Sequence, residues 1–385
     1  MYLQSILYGN PDYYPPMINA AWVLDQHRIR QNILCTDFLS PIWQQPPIVY
    51  PPSTQVTRIA MRMNNSFLNY LTFCVQVLRH VDRAADCLIA YNMHAFLPAR
   101  LAAWLFRKPL AYHSHDYVEN SQKQTSSSLF IKTFERLFAR TADLVIVPDQ
   151  ARADVMAREL NLTIPPVIVA NAALDAPTEN CPELPSALQQ IGKQFDKIVF
   201  RPGRVGHGHC IDITIRSLPL WDNPRWGFVV MGPYTETDKQ WLEQVAVDVG
   251  AADRFVILPA VSYNLVLKYA SGAALGHGLY EPIHINNRYI TTASNKIMEY
   301  IAAGLPLLLS ESEGNRALID RHNNGLLVPY DSPEAIAAAV NRILGDDELA
   351  KQLAAGSKRA FQAEFNYERQ YLPVIERLRT LLITP

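Results

Sequence analysis

Short apolar runs alternate with stretches of helical period along most of the chain. LQSILYG, ending near Gly9, has the pattern of a strand, and the residues from Met17 to Arg30 have that of a helix. DCLIAYN (86–92) reads as a buried strand and FLPARLAAWLF as the helix after it. PLAYHSHD (109–116) is the next strand, followed by a long amphipathic helix to about Arg140; ADLVIVPD (142–149) and PPVIVAN (165–171) complete this series. Residues 172–196 carry three prolines and no strand pattern, as a linker would. A second series follows: DKIVFRPGR (196–204), WGFVVMGP (226–233), RFVILPA (254–260), SGAALGHG (271–278), GLPLLLS (304–310) and GLLVPY (325–330). Helices are predicted over 235–249, 295–303 and 333–344, with a charged helical tail over 346–382.

Strand and helix alternating at this pace predict an α/β protein of two Rossmann-like domains with parallel sheets facing a central cleft. The expected boundaries are 1–175 for the first domain, 176–195 for the linker and 196–355 for the second. A helical segment, 356–385, is expected to pack back toward the first. Ligands of such sheets bind beyond the carboxyl ends of the strands, so the residues just after each strand carry the functional information.

The strongest local signal is TTASNKIMEYIAAGLPLLLS (291–310). Thr291, Thr292 and Ser294 are cap-type residues, and Gly304 suits a left-handed helix end. Ile297, Tyr300, Ile301 and Gly304 share one helical face; Lys296, Glu299 and Ala303 share another. A helix N-terminus attracts a diphosphate, Lys296 adds a full charge there, and Glu299 is placed to accept two ribose hydroxyls. A second signal, RPGRVGHGHC (201–210), offers Gly203, Gly206 and Gly208 for close backbone approach, with Arg204, His207 and His209 as cations. These glycines lack the GxGxxG spacing of a dinucleotide fold.

Composition narrows the field. The 385 residues are 49% hydrophobic, with formal net charge −1, which gives no sign of a nucleic-acid partner. Five scattered cysteines without a CxxC pair point to a reducing cytosol rather than to disulfides or zinc. No apolar run is long enough to span a membrane, and MYLQSILYGNPDYYPP lacks the zones of a signal peptide. The expected location is cytoplasmic, with peripheral contact at the inner face of the cell membrane open. For that contact there are Arg58, Arg62, Arg79 and Arg83 in one apolar segment and Lys132, Arg136 and Arg140 on the helix 128–140. On that helix Phe130, Ile131, Phe134, Leu137 and Phe138 are expected to face the sheet.

Asn295, Lys296, Glu299, Tyr300, Ala303, Gly304, Leu305 and Pro306 resemble the donor-binding motif of the retaining glycosyltransferases of family 4, which have the GT-B fold. The stretch ending in His113, His115, Asp116 and Tyr117 resembles the first domain of the same family. The resemblance implies a glycosyltransferase of surface polysaccharide or glycolipid biosynthesis. It would move a sugar, of hexosyl type, from a UDP- or GDP-sugar to a hydroxyl of a glycan or lipid-linked acceptor. Retention is implied, with no metal and no cofactor beyond the nucleotide-sugar co-substrate. His115, Arg204 and Lys296 would be catalytic. Gly203, Arg204, His209, Ser294, Asn295 and Lys296 would hold the diphosphate, Glu299 the ribose, and the backbone of Pro259, Ala260 and Val261 the base. Gly9, Asn10, Asp116, Tyr117, Thr291 and Thr292 would lie on the acceptor or sugar side, with Asp12, Tyr13 and Tyr14 in the same first loop. The sequence departs from the family at two places: Thr291 stands where a glutamate is common, and His209 where a lysine is expected. A phosphate nearby would favour a charged His209. A sugar-nucleotide 2-epimerase and a non-catalytic sugar-nucleotide-binding partner subunit share this architecture and remain alternatives.

Overall fold

The computed structural model describes residues 1–38, 48–62, 66–118, 126–177, 181–283 and 285–383. They form two compact units, the first ending at Asn171 and regaining the chain from Tyr367 on, the second running from Ala172 to Asn366.

In the first unit the order is β1 (Tyr2–Leu7), α1 (Pro15–Gln26), β2 (Arg30–Thr36), β3 (Thr54–Ile59), α2 (Ser66–His80), β4 (Cys87–Tyr91), α3 (Asn92–Phe106), β5 (Leu110–His113), α4 (Ser126–Phe138), β6 (Leu144–Val147), α5 (Gln150–Glu159) and β7 (Val167–Ile168). The seven strands pair in parallel in the order β3-β2-β1-β4-β5-β6-β7, with Ile6 of β1 opposite Leu34 and Ala90. Every residue of β4 is buried, as expected of a strand covered on both faces. Two strands here, β2 and β3, differ from the sequence pattern. The helix expected to reach Arg30 stops at Gln26, because Arg28 takes a left-handed φ of +57° and turns the chain into β2.

The second unit opens with α6 (Glu183–Gln190), β8 (Lys197–Pro202), α7 (Ile211–Ser217), β9 (Trp226–Met231), α8 (Glu236–Asp248), β10 (Phe255–Leu258), α9 (Tyr263–Ser271) and β11 (Leu275–Gly278). It continues through α10 (Ile285–Arg288), α11 (Asn295–Ala302), β12 (Leu307–Ser310), α12 (Glu313–His322), β13 (Gly325–Val328), α13 (Pro333–Gly345) and α14 (Asp347–Ala363). The last helix, α15 (Tyr367–Ile383), belongs to the first unit, where it packs on α1 and donates a hydrogen bond from the Tyr367 hydroxyl to the carbonyl of Pro16 at 2.8 Å. The segment expected to begin at 356 therefore starts at 367: residue 356 lies inside α14, whose Leu353, Ala360 and Phe361 are buried in the second unit. The expected linker is also more structured than its prolines suggest. Pro182 caps α6, whose Leu184 and Leu188 are buried, and α6 packs on α9.

All six strands expected in this half are present, in the parallel order β10-β9-β8-β11-β12-β13. The chain leaves β8 toward one edge and later returns beside it as β11, so the topological switch lies between these two strands. Val199, Phe228, Leu308 and Ile336 lie in the core. Gly276 lets α11 approach closely: a β-carbon there would stand 2.4 Å from the Tyr300 ring.

Candidate functional site

Beyond the carboxyl end of β8 the chain turns through Gly203 (φ +99°), Gly206 (φ +153°) and Gly208 (φ +78°), and Cys210, itself left-handed, caps α7. Across the switch, the residue two past β11 is Tyr280, and α11 begins nearby. The Ser294 hydroxyl accepts from the Ile297 N–H at 3.3 Å, as an N-cap should, and Gly304 (φ +69°) follows the helix end. Lys296 leans from the first turn over the glycine turn and donates to the Tyr280 hydroxyl at 2.8 Å; that hydroxyl is 2.9 Å from Ser294 Oγ. The structure thus brings Gly203, Arg204, His209, Ser294 and Lys296 together, with Asn295 beside them, its Oδ1 buried and without a hydrogen-bond partner. Pro259, Ala260 and Val261 follow β10 as expected, the first exposed and the others half-buried.

The cluster is electropositive and uncompensated. Among the described residues no carboxylate lies within ion-pair distance of Arg201, Arg204 or Lys296. Burial lowers the pKa of Lys296, with Arg201 acting the same way and Tyr280 against it. Burial works to raise the Tyr280 phenol, but the Lys296 and Arg201 charges outweigh it and hold it below the usual tyrosine range. Glu299 is 5% exposed, and burial pushes its carboxyl up to about 7, with Lys296 opposing.

His209 differs from the expectation of a charged loop histidine. Burial, then Arg201, Lys296 and Arg204, drive its pKa far below the usual value, so the ring is neutral in the unliganded chain. Its Nδ1 is buried without a partner, and it meets the Tyr280 ring edge-on. His207 is exposed and stacks on Trp241, with ring centroids 3.9 Å apart. Among the described residues no group of three or more His, Cys, Asp or Glu side chains could hold a metal ion.

Arg201 did not stand out in the sequence. It is fully buried, and its only side-chain hydrogen bond among the described residues runs from Nη1 to the carbonyl of Arg204 at 3.1 Å. An arginine following the apolar run IVF of the strand KIVFRP was the available signal. His277, two residues after Leu275, is a second buried group here; its Nε2 is 2.8 Å from Thr214 Oγ1.

Comparison with known proteins places this geometry. Residues 20–172 match the model of the glycosyl transferase 4-like domain, and residues 196–346 match that of the glycosyl transferases group 1. The chain belongs to the GT-B glycosyltransferases.

The solved structure of HepE from Anabaena in complex with UDP and glucose superposes with a TM-score of 0.76 at 16% identity, covering 99% of this chain and 100% of that one. The sucrose-phosphate synthase of Thermosynechococcus elongatus gives 0.75 at 16% identity over the full length of both chains. An uncharacterized glycosyltransferase of Methanocaldococcus jannaschii is 24% identical over 184 residues, 47% of this chain and 44% of its own. That alignment spans less than half of the relative.

In the first unit of the glycosyltransferase, His113 ends β5 and His115 follows it, both buried, with ring centroids 4.1 Å apart and both nitrogens of each ring without a hydrogen-bond partner. Burial keeps both neutral; it holds His115 down at about 4, with Arg152 acting the same way and Asn171 against it. The His115 N–H donates to Asn92 Oδ1 at 2.9 Å, and Asp116 is exposed. Gly9 opens the loop after β1, where a β-carbon would stand 3.4 Å from the Tyr14 ring.

Several residues expected at the sugar or acceptor side are occupied otherwise. Asn10 caps the short helix at Pro11 and accepts from Arg58 Nη1, and Asp12 pairs with Arg58 and accepts from Tyr50. Arg58 is thereby committed to this loop and is not part of a basic surface. Tyr117 is 1% exposed, donates to Glu159 at 2.8 Å and carries the Lys132 ammonium 3.7 Å above its ring. The Thr291 hydroxyl, 7% exposed, donates to Asn315 Oδ1 at 2.7 Å, while Thr292 is half-buried. On α4 the expected faces are partly exchanged. Lys132 and Glu135 are buried as a pair, with Tyr112 donating to Glu135, while Phe130 and Leu137 are 55% and 53% exposed.

Proposed function

We propose that the glycosyltransferase binds a nucleotide-sugar in its second unit and transfers the sugar, of hexosyl type, to a hydroxyl of a glycan or lipid-linked acceptor. The observation that carries this is the set of Arg201, Arg204 and Lys296, without a carboxylate in ion-pair distance among the described residues, around a glycine turn at a helix N-terminus, an arrangement suited to an anion. The UDP and UDP-glucose complexes of HepE favour a uridine nucleotide over a guanosine one.

As the bond between the anomeric carbon and the β-phosphate oxygen breaks, negative charge grows on the leaving diphosphate. Arg204, Lys296 and the N–H groups after Ser294 are gathered around this turn, so the growing charge is met by groups already in place. The acceptor oxygen forms its bond to the anomeric carbon from the same face, giving retention, and its proton passes to the leaving phosphate. Protein cations perform the neutralisation that a metal provides elsewhere, so no metal is required. Glu299, buried and with no hydrogen bond to its carboxylate among the described residues, accepts the ribose hydroxyls; His115 is a partner of the sugar.

A lipid-linked acceptor, and with it a cytoplasmic enzyme peripheral to the membrane in glycolipid or surface polysaccharide synthesis, gains support from the first unit. Leu71 and Val75 on α2, Trp104 and Leu105 on α3, and Phe130 and Leu137 on α4 are exposed on helices that pack in sequence. Arg79 and Arg136 are exposed on the same helices, whose single acid, Glu135, is buried. Apolar and basic residues without exposed carboxylates suit an anionic lipid surface. No helix among the described residues is long and apolar enough to cross a membrane.

The test is incubation with UDP-glucose and related donors. Released nucleoside diphosphate supports transfer; a changed sugar epimer would make the protein an isomerase, and binding without turnover would make it a carrier.

A further inference from the structure

Arg201 has no place in the family motif, yet it lies at the centre of the charged cluster. It is the last residue but one of β8, beside Pro202 and beneath the glycine turn, with no solvent exposure. The charged or titratable groups around it are His209 and Cys210 of the turn, His277 of β11, Tyr280 after β11, and Lys296 and Tyr300 of α11. One guanidinium nitrogen fixes the Arg204 carbonyl, and Nε and Nη2 have no hydrogen-bond partner among the described residues. An isolated ion in a dry interior is strongly unfavourable unless something pairs with it. Its neighbours here are two phenols and a thiol, and no carboxylate is among them. Such a group persists in a folded protein where function requires it.

The turn explains the requirement. Where a lysine is expected it carries His209, which is neutral in the unliganded chain. We propose that Arg201 supplies this charge from beneath the turn, as a positioning residue for the donor diphosphate that holds Arg204 in place and lends its field to the phosphates through the low-dielectric interior. The proposal rests on the nucleotide-sugar function above. The absence of exposure means that Arg201 acts through the field and the turn rather than by contact.

This arrangement gives two effects of opposite sign. Removing the unpaired charge stabilises the unliganded protein and weakens the diphosphate. Calorimetry with UDP, GDP and ADP first identifies the diphosphate bound by the wild type; ligand-observed NMR then compares it with its own nucleoside for the wild type, Arg201→Met and Arg201→Lys. The expected result for Arg201→Met is a diphosphate affinity lowered about 10-fold or more, equivalent to about 1.4 kcal/mol, with nucleoside affinity unchanged. Its melting temperature without ligand should rise, and Arg201→Lys should recover most of the diphosphate affinity. A lowered melting temperature with diphosphate and nucleoside weakened alike would make Arg201 merely structural and overturn the inference. Unchanged diphosphate affinity in Arg201→Met would overturn it while leaving the nucleotide site intact; a wild type that binds none of the three diphosphates would overturn both.

Discussion

The Lys296 side chain lies directly over Gly203: a β-carbon on that glycine would stand 3.1 Å from Lys296 Cε and 3.4 Å from its Nζ. The glycine is also held at φ +99°, where other residues are strained. Both effects act in one substitution. Gly203→Ala should cost roughly 1–3 kcal/mol of stability and push the ammonium off the turn. Donor turnover is expected to fall about 10-fold or more, while Gly192→Ala, at another left-handed glycine (φ +70°) just after α6, should cost stability alone. Melting curves and donor-turnover assays on both variants check this.

Glu299 should make the unliganded protein less stable as pH rises. Its carboxyl moves from 4.5 to about 7 on folding, so the native state binds the extra proton between those values and stability falls across that window. The full effect is about 3 kcal/mol. Glu299→Gln should therefore melt higher than the wild type near about pH 8 and equally at about pH 4.5, and it should bind nucleotide more weakly. Equal melting at both pH values would remove the buried-carboxylate account.

His115 should act in the opposite direction. Its native pKa of about 4 lies below the ordinary 6.5, so the unfolded chain takes up the proton first; stability is complete above 6.5 and lost as pH falls toward 4. His115→Asn should flatten this acid limb by about 3 kcal/mol, leaving the contribution of His113. Denaturant titrations over that range read the difference.

These helices and sites were unequally legible in the sequence. The six strands of the second unit were plain, because covered parallel strands such as WGFVVM and LLLS are continuous apolar runs. The edge strand TQVTRI is mostly polar, and β2 merged with the preceding helix until the left-handed Arg28 separated them. The α11 cap and its lysine could be read because helix ends obey local chemistry. Arg201 could not, since its meaning depends on what faces it from β11 and α11. The faces of α4 misled for a similar reason: Glu135 is drawn inward by the Tyr112 hydroxyl and takes Lys132 with it, which leaves Phe130 outside.

The exposed apolar face of the first unit gives a separable effect. Leu105→Glu combined with Phe130→Glu should lower binding to phosphatidylglycerol vesicles about 10-fold or more, since each buried leucine or phenylalanine is worth about 1.5–3 kcal/mol. Turnover of donor in the absence of lipid should not change. Sedimentation with vesicles measures the first and a coupled assay the second; equal sedimentation of variant and wild type would remove the membrane role.

The most direct test of the diphosphate site is a calorimetric titration of wild type and Lys296→Ala with UDP, GDP and ADP. The expected result is saturable binding of at least one diphosphate by the wild type, UDP foremost, weakened about 100-fold in Lys296→Ala at unchanged melting temperature. Undiminished binding in the variant, or no binding by the folded wild type, would contradict the account.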